Sequence, residues 1–515
     1  MEIENSINSK STPFYSQKID DKYSVLGRSI GVDTQTQSLS TRTIESSNLI
    51  SGDLNGQHLT FAFTVSPSAY IDWNNCNMEI GFTFTNANKN GKAENVSIPW
   101  NLLLSIFEEI KVKFNGSVIF NKVAGEYLET QTFKLLTEYT NEELNFSEIV
   151  FAPVGDYNYN LGLNTGYTFT QANYNDPNAL IRFQNWISPV NELYSTVHYK
   201  RPTFKDLFFS MPGFSKNLRN VTIDIKLKNK IELPKITGAG NGIMILKRMR
   251  LQIYEYNFSP SAAISAINNK INGEDEHLSF IDVNKQDREY SSYLTITNQQ
   301  NIQWVAVTQF CNNVTSKYKA QNTVQYQNCG QFLLMNGYGK DDHEPTTANI
   351  ISRSDIPPKP TEAVAQQITT YTWNSCYGPM SSIQAQYGNL LYPSNAIDTK
   401  LKFKVFNLNP ITSPNVLQVD IELLKSDDLY NEYRKAVGFK NPAVPEDIFK
   451  KTMPFFMVRF TPNIKLKQSA DIIIRMPGFE GIDNTGNKKL SVIYGQLKSY
   501  NISPSGIVSE YTTSF

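Results

Sequence analysis

Catalytic raw material is scarce in this sequence. Four cysteines, Cys76, Cys311, Cys329 and Cys376, are spread over 515 residues. No two share the CxxC spacing of a zinc or redox site, which points to reduced, structural thiols. Histidine is as rare, at four residues. Charge of one sign is absent in bulk: 48 basic residues cancel 48 acidic ones, so no field draws in nucleic acid or an anionic membrane, and low net charge favours self-association. No apolar run is long enough to cross a bilayer. The amino-terminal MEIENSINSKSTPF has neither the basic nor the apolar region of a signal peptide. The expectation is a soluble protein made in a reducing compartment, with no cofactor.

What the chain does have is aromatic residues, 12% of the total, against only 19% charged, a balance suited to sheets and broad contact surfaces. Alternation with period two dominates. Leu59, Phe61, Phe63 and Val65 share one face, as do Met78, Ile80, Phe82 and Phe84, and Val221, Ile223, Ile225 and Leu227; such spacing predicts half-buried strands. In IKVKFNGSVIF (110–120), Asn115-Gly116 supplies the positive φ of a tight hairpin turn. The second half repeats the style at 292–298, 302–310, 401–408, 417–424, 455–460 and 491–497. Two helices fall between strands. One covers 125–139, with Leu128, Leu135 and Tyr139 at helical spacing. The other covers 426–438, with Ser426 as N-cap, Asp427 and Asp428 at its positive end, Arg434 and Lys435 at its negative end, and Gly438 to stop it.

Length requires two large domains. Residues 1–45, rich in Ser, Thr, Asn and Gln, read as a flexible amino-terminal arm; 46–262 as a first β-domain; 263–285 as a linker; and 286–515 as a second β-domain. Many short antiparallel strands with long inserted loops give an all-β protein: two tandem eight-stranded jelly-roll β-sandwiches, a double jelly roll, with a few helices in the insertions.

Candidate chemistry is thin. His58, His198 and His277 are isolated, and Asp341, Asp342, His343 and Glu344 form the one metal-like cluster, in a stretch that reads as a solvated loop. GAGNG (238–242) leads into a strand, whereas a phosphate loop opens a helix. Lys247 points away from Arg248 and Arg250 if the segment is a strand, which makes a solvated or interface face and no specific nucleic-acid site. Glu108 with Glu109, or Asp420 with Glu422, are the acid pairs a glycosidase reading would nominate; both read as solvated. No catalytic residue, metal ligand or cofactor site is assigned, and the chain reads as no enzyme.

Two phrases recur. MPGF stands at Met211, Pro212, Gly213 and Phe214 and again at Met476, Pro477, Gly478 and Phe479. YN-x-SPS stands at Tyr256, Asn257, Ser259, Pro260 and Ser261 and again at Tyr500, Asn501, Ser503, Pro504 and Ser505. One or two four-letter coincidences are expected by chance in a chain of this length, on the order of 130,000 residue pairs, so the order of the phrases is what signals a diverged duplication. On this reading Gly213 and Gly478 occupy equivalent turns.

With the phrases FFSMPGF and YNFSPS, IIRMPGF and YNISPS, the polar arm and the long double β-pattern, the chain from about residue 46 to 508 resembles the double jelly-roll major capsid proteins of virophages, mavirus-like in kind. The resemblance implies a virion structural protein: a homotrimer of pseudo-hexameric outline that tiles an icosahedral shell around double-stranded DNA. Its implied partners are neighbouring capsomers, a penton or minor capsid protein and a viral maturation protease, with assembly in the host cytoplasm. The alternative left open is a carbohydrate-binding or glycoside-cleaving β-sandwich protein.

Overall fold

The computed structural model describes residues 38–48, 52–66, 69–86, 101–123, 126–150, 197–211, 215, 217–232, 242–257, 273–289, 292–311, 382–403, 421–424, 426–446, 449, 455–460, 470–476 and 488–510. Ten strands belong to the first half: β1 (Ser38–Glu45), β2 (His58–Thr64), β3 (Ala69–Ile71), β4 (Asn77–Asn86), β5 (Phe107–Phe114), β6 (Ser117–Lys122), β7 (His198–Lys200), β8 (Asn220–Leu227), β9 (Ile231–Glu232) and β10 (Gly242–Asn257). Ten more follow: β11 (Glu276–Glu289), β12 (Tyr293–Gln299), β13 (Ile302–Cys311), β14 (Ser382–Tyr387), β15 (Leu390–Phe403), β16 (Ile421–Leu424), β17 (Phe456–Arg459), β18 (Ala470–Arg475), β19 (Lys488–Ile502) and β20 (Val508–Glu510).

The sheet orders carry the fold. In the first half the sheets run β1-β10-β4-β7 and β2-β8-β5-β6, and in the second β11-β19-β13-β17 and β12-β18-β14-β15-β16. The short strands β3, β9 and β20 and the terminal β16 are additions to these ladders. With the additions set aside, eight strands remain among the described residues of each half. Numbered along the chain, they lie in the order 1-8-3-6 in one sheet and 2-7-4-5 in the other, in both halves. This is the jelly roll, present twice with one topology.

Local chemistry explains the elements. On β2, Leu59, Phe61 and Phe63 are buried between exposed or half-exposed neighbours, and β8 buries Val221, Ile223, Ile225 and Leu227 in the same rhythm. Asn115 at φ 48° and Gly116 at φ 88° make the turn joining β5 to β6, with the double positive φ that matches strand twist. Helices occupy Tyr127–Glu138 and Ser426–Val437, each between the fifth and sixth main strands of its half. Gly438, at φ 72°, closes the second one by donating to the Arg434 carbonyl at 3.1 Å.

Two boundaries differ from the sequence expectation. Residues 38–45, assigned to the arm, form β1, paired along its whole length with β10. Residues 276–285, assigned to the linker, are the larger part of β11, paired with β19. The first strand is masked by polar composition, because it lies at a sheet edge where Leu39, Thr41, Thr43 and Glu45 face outward. The second is masked because it buries charge: Asp282 breaks the apolar alternation yet is as buried as its neighbour Val283.

Candidate functional site: the joint between the sandwiches

Among the described residues, those with catalytic potential do not converge. Glu108 pairs with Lys226 at 3.2 Å and Glu109 with Lys111 at 3.5 Å, on the partly exposed face of the sheet. Asp420 and the 341–344 cluster lie outside the described residues, as do residues 238–241. Glu422 sits in β16 opposite Lys402. Among the described residues no three His, Cys, Asp or Glu side chains gather as a metal site would require. His277 meets Asn501 across the ladder at 2.6 Å. The basic trio of β10 is matched by acids: Lys247 with Asp53 at 2.5 Å, Arg248 with Glu45 at 3.3 Å and Arg250 with Glu79 at 2.7 Å. Glu79 is buried, which alone would raise its carboxyl. Arg250 and Arg201 overcome this and hold it below the usual range.

What does converge is polar and aromatic chemistry along the joint between the halves. β11 is the outer strand of its sheet, so one row of its main-chain groups lacks a ladder partner. The first sandwich covers that edge. Lys122 of β6 donates to the Val283 carbonyl at 2.6 Å and to Asn284 Oδ1 at 3.1 Å, and it pairs with Asp282 at 2.9 Å. Lys498 of β19 reaches the other oxygen of Asp282 at 2.6 Å. Burial pushes the Asp282 carboxyl up, but the two lysines outweigh it and hold the group below the usual carboxylate range.

A second ion pair sits beside the first. Glu129, from helix Tyr127–Glu138, meets Lys285 at 2.6 Å, and Lys285 also meets Asp287 at 3.1 Å. Here burial wins, and the Glu129 carboxyl is raised despite Lys285. Helix 127–138 is buried on nearly every side, including Gln131, Thr132 and Lys134. These polar positions are satisfied within the first half: Gln131 donates to the Asp206 and Phe208 carbonyls at 2.6 and 3.3 Å, Thr132 accepts from Asn101 at 3.2 Å, and Lys134 donates to the Lys205 carbonyl and pairs with Glu138.

Aromatic packing extends the seam. Phe209 of the first half stacks on Phe280 of β11, with ring centroids 4.2 Å apart, and Phe280 faces Tyr500 at 6.0 Å. Further along, Phe133 meets Phe455 edge-on at 5.3 Å, and the Tyr433 hydroxyl donates to the Leu136 carbonyl at 2.9 Å. At the opposite end Glu276 accepts from the Ser215 hydroxyl and the Asn217 amide, both at 2.9 Å, while Asn217 donates to the Ile502 carbonyl at 2.7 Å. One contiguous apolar core runs through both halves. The joint is therefore welded by core packing as well as by polar pairs.

The recurring phrases fall into place differently. Tyr256 and Asn257 end β10, and Tyr500 and Asn501 stand just before Ile502 at the end of β19, the eighth main strand of each half. Asn257 donates to Ser40 at 2.6 Å as Asn501 meets His277, each time reaching the first strand. In the second copy Ser503 accepts from the Ile507 amide at 3.0 Å, the Ser503 and Ser505 hydroxyls lie 2.7 Å apart, and Arg219 of the first sandwich donates to the Pro504 carbonyl. Ser259, Pro260 and Ser261 lie outside the described residues.

Of MPGF, the two methionines are described. Met211 precedes β8, held by Asn74 through 3.2 Å and 2.8 Å bonds, whereas Met476 follows β18 and donates to Ser292 at 2.8 Å. Met211 and Met476 therefore flank opposite ends of the seventh main strand. Pro212, Gly213 and Phe214, like Pro477, Gly478 and Phe479, lie outside the described residues. The charged joint residues were missed in the sequence because Lys122, Asp282 and Lys285 look like ordinary outward positions; the only signal was a strand pattern interrupted at 282.

No protein-family model matches the sequence, and no curated protein does. Among solved structures, the chain is similar to one from the Sputnik virophage determined by cryo-EM, with TM-score 0.48, 10% identity, and 93% of this chain and 89% of that chain covered. It is similar to the mavirus major capsid protein, with TM-score 0.46, 10% identity and coverage of 92% and 90%. It is similar also to PBCV-1 VP54 fitted into a reconstruction of Sputnik, with TM-score 0.44, 10% identity and coverage of 93% and 98%. At these values the fold rests on the strand order, which stands without them.

Proposed function

We propose that this chain is a structural shell protein, a major capsid protein whose product is its own assembled surface. The observation that carries the reading is the welding of two jelly rolls of one strand order along a buried joint. Two similar units in fixed relation offer similar edges at both ends of the chain. A head-to-tail contact repeated by rotation then closes a ring. Three chains close as a homotrimer of pseudo-hexameric outline, and such capsomers tile an icosahedral shell around double-stranded DNA.

The partners on this reading are further copies, a penton or minor capsid protein at the vertices and a maturation protease, in a virion assembled in the host cytoplasm. No helix among the described residues is long and apolar enough to cross a membrane. The test is the mass of the purified chain by light scattering during size-exclusion chromatography, with negative-stain images of the same peak. Three copies of 58.4 kDa give roughly 175 kDa and six-lobed views. A monomer that assembles at no salt or pH overturns the reading.

A further inference from the structure

Lys122 is a buried cation without a carboxylate of its own. Its side chain is 3% exposed and that of Asp282 5%, and Asp282 already has a cation in Lys498, at 2.6 Å on its other oxygen. The neighbouring carboxylates Glu129 and Asp287 are met by Lys285. Two ammonium groups therefore share one buried carboxylate, and a surplus charge is costly away from water. Lys498, 28% exposed, keeps contact with solvent. The surplus belongs to Lys122.

The groups around its ammonium are those of an acyl transfer. An amine becomes a nucleophile when it is desolvated or stands beside a second cation, and Lys122 meets both conditions. A base must lie within hydrogen-bond reach of the proton it takes; Asp282 Oδ1 is 2.9 Å from Lys122 Nζ. The electrophile is the side-chain amide of Asn284, whose Oδ1 accepts from the same Nζ at 3.1 Å. Its Cγ lies one carbonyl bond of about 1.2 Å farther, so a rotation of the amide brings Nζ and Cγ to the roughly 3–3.5 Å of a near-attack geometry. The Val283 carbonyl accepts from Nζ at 2.6 Å and holds the amine in place. Asn284 Nδ2, the nitrogen that would leave, donates to the Asp282 main-chain carbonyl at 3.5 Å.

We propose that Lys122 and Asn284 form an intramolecular isopeptide bond, a covalent tie between the first sandwich and the second. The bond from Nζ to Cγ forms and the bond from Cγ to Nδ2 breaks. Two protons pass from Nζ to the departing nitrogen by way of the Asp282 carboxylate, and the nitrogen leaves as ammonium. No oxidant or cofactor enters the balance, and the ammonium carries the surplus charge out to water. What remains is a neutral amide beside a simple ion pair of Asp282 and Lys498. The Lys122–Asp282 ion pair is the state before the reaction. Asp282, held by its two lysines below the usual carboxylate range, is a weak base, so the bond forms slowly and accumulates as the folded protein ages.

The experiment is mass spectrometry of the folded full chain, freshly purified and after prolonged incubation. The aged chain is expected to be lighter by one ammonia, and its protease digest to contain a branched peptide joining Lys122 to Asn284. Cyclisation at an Asn-Gly pair such as Asn90-Gly91 also releases ammonia, so the branched peptide is the deciding observation. Lys122→Arg, which has no primary amine to acylate, and Asn284→Ala, which has no amide to attack, are expected to yield none, with circular dichroism to confirm folding. Asp282→Asn is expected to slow the bond about a hundredfold or more; formation at the parent rate would overturn the role of Asp282. If a variant fails to fold, the parent digest decides by itself. An aged parent chain that keeps its full mass, or that loses ammonia without the branched peptide, overturns the bond.

Discussion

Lys122 and Asp282 come from different sandwiches and meet at 2.9 Å inside the protein, both side chains nearly without solvent. A buried pair of this kind contributes little net stability against apolar residues of similar size, but it is costly to break from one side, because the remaining charge stays buried. Lys122→Met leaves Asp282 to Lys498 alone, so it should destabilise the chain by less than the about 3–5 kcal/mol of a buried charge left with no partner. Lys122→Met with Asp282→Leu should recover a large part of that loss. Lys498, partly exposed, can find water when Asp282 is gone. Denaturant unfolding of both single variants and the double variant forms the cycle that checks this; additive losses would mean that the two residues do not act as a pair.

The two buried carboxylates of the joint should respond to pH in opposite senses. Asp282 is held below its ordinary value, so the stability it contributes is present above the unfolded carboxylate range, about 4, and is lost as pH falls through its lowered folded value. Glu129 is held above its ordinary value by burial. Its contribution is fully present below the unfolded value of about 4.3 and is lost as pH rises through the raised folded value. Asp282→Asn should flatten the acid limb of the stability profile, and Glu129→Gln should flatten the alkaline one. Melting temperatures from pH 3 to pH 9 for the three proteins decide it, and profiles that stay parallel to the parent would refute both assignments.

The sandwiches were legible in the sequence because burial there follows side-chain chemistry. Leu59, Phe61 and Phe63 alternate as strands on one core must, and Asn115-Gly116 admits few structures other than a hairpin. The joint was illegible for the opposite reason. Lys122, Glu129, Asp282 and Lys285 are buried by pairing across sequence separations of more than 150 residues, and nothing local marks a charge as destined for a partner that far away. The polar strand β1 was missed because an edge strand needs only one apolar side. Of the two phrases, Tyr256-Asn257 and Tyr500-Asn501 sit near corresponding strand ends, whereas Met211 and Met476 flank opposite ends of the seventh main strand.

The position of β1 makes a sharp prediction about truncation. Removing residues 1–37 leaves every described strand intact, whereas removing 1–45 strips β1 from β10 and exposes the ladder from Arg250 to Asn257. It also removes Arg42, which pairs with Glu255 at 2.6 Å and leaves that buried carboxylate uncompensated when lost. The shorter deletion should leave the melting temperature within a few degrees, and the longer should lower it by more than about 5 °C. Equal melting of the two truncations would show that β1 contributes nothing to the first sandwich.

Two glycines separate the cost of crowding from the cost of backbone conformation. Gly495 of β19 lies under the Trp304 indole: an added Cβ would fall 2.5 Å from Trp304 Cε2 and 2.9 Å from Ile281 Cγ2. Both neighbours are packed in the sheet and the indole cannot swing aside without displacing others, so Gly495→Ala should cost about 1–3 kcal/mol through overpacking. Gly116 has open space around its Cβ position but φ 88°, so Gly116→Ala should cost only the left-handed conformation, about 1 kcal/mol. Shrinking the obstacle distinguishes them: in a Trp304→Phe background the Gly495→Ala penalty should fall, while the Gly116→Ala penalty should stay. A Gly495→Ala cost unchanged by Trp304→Phe would locate the requirement for glycine in the backbone of β19 and not in the ring above it.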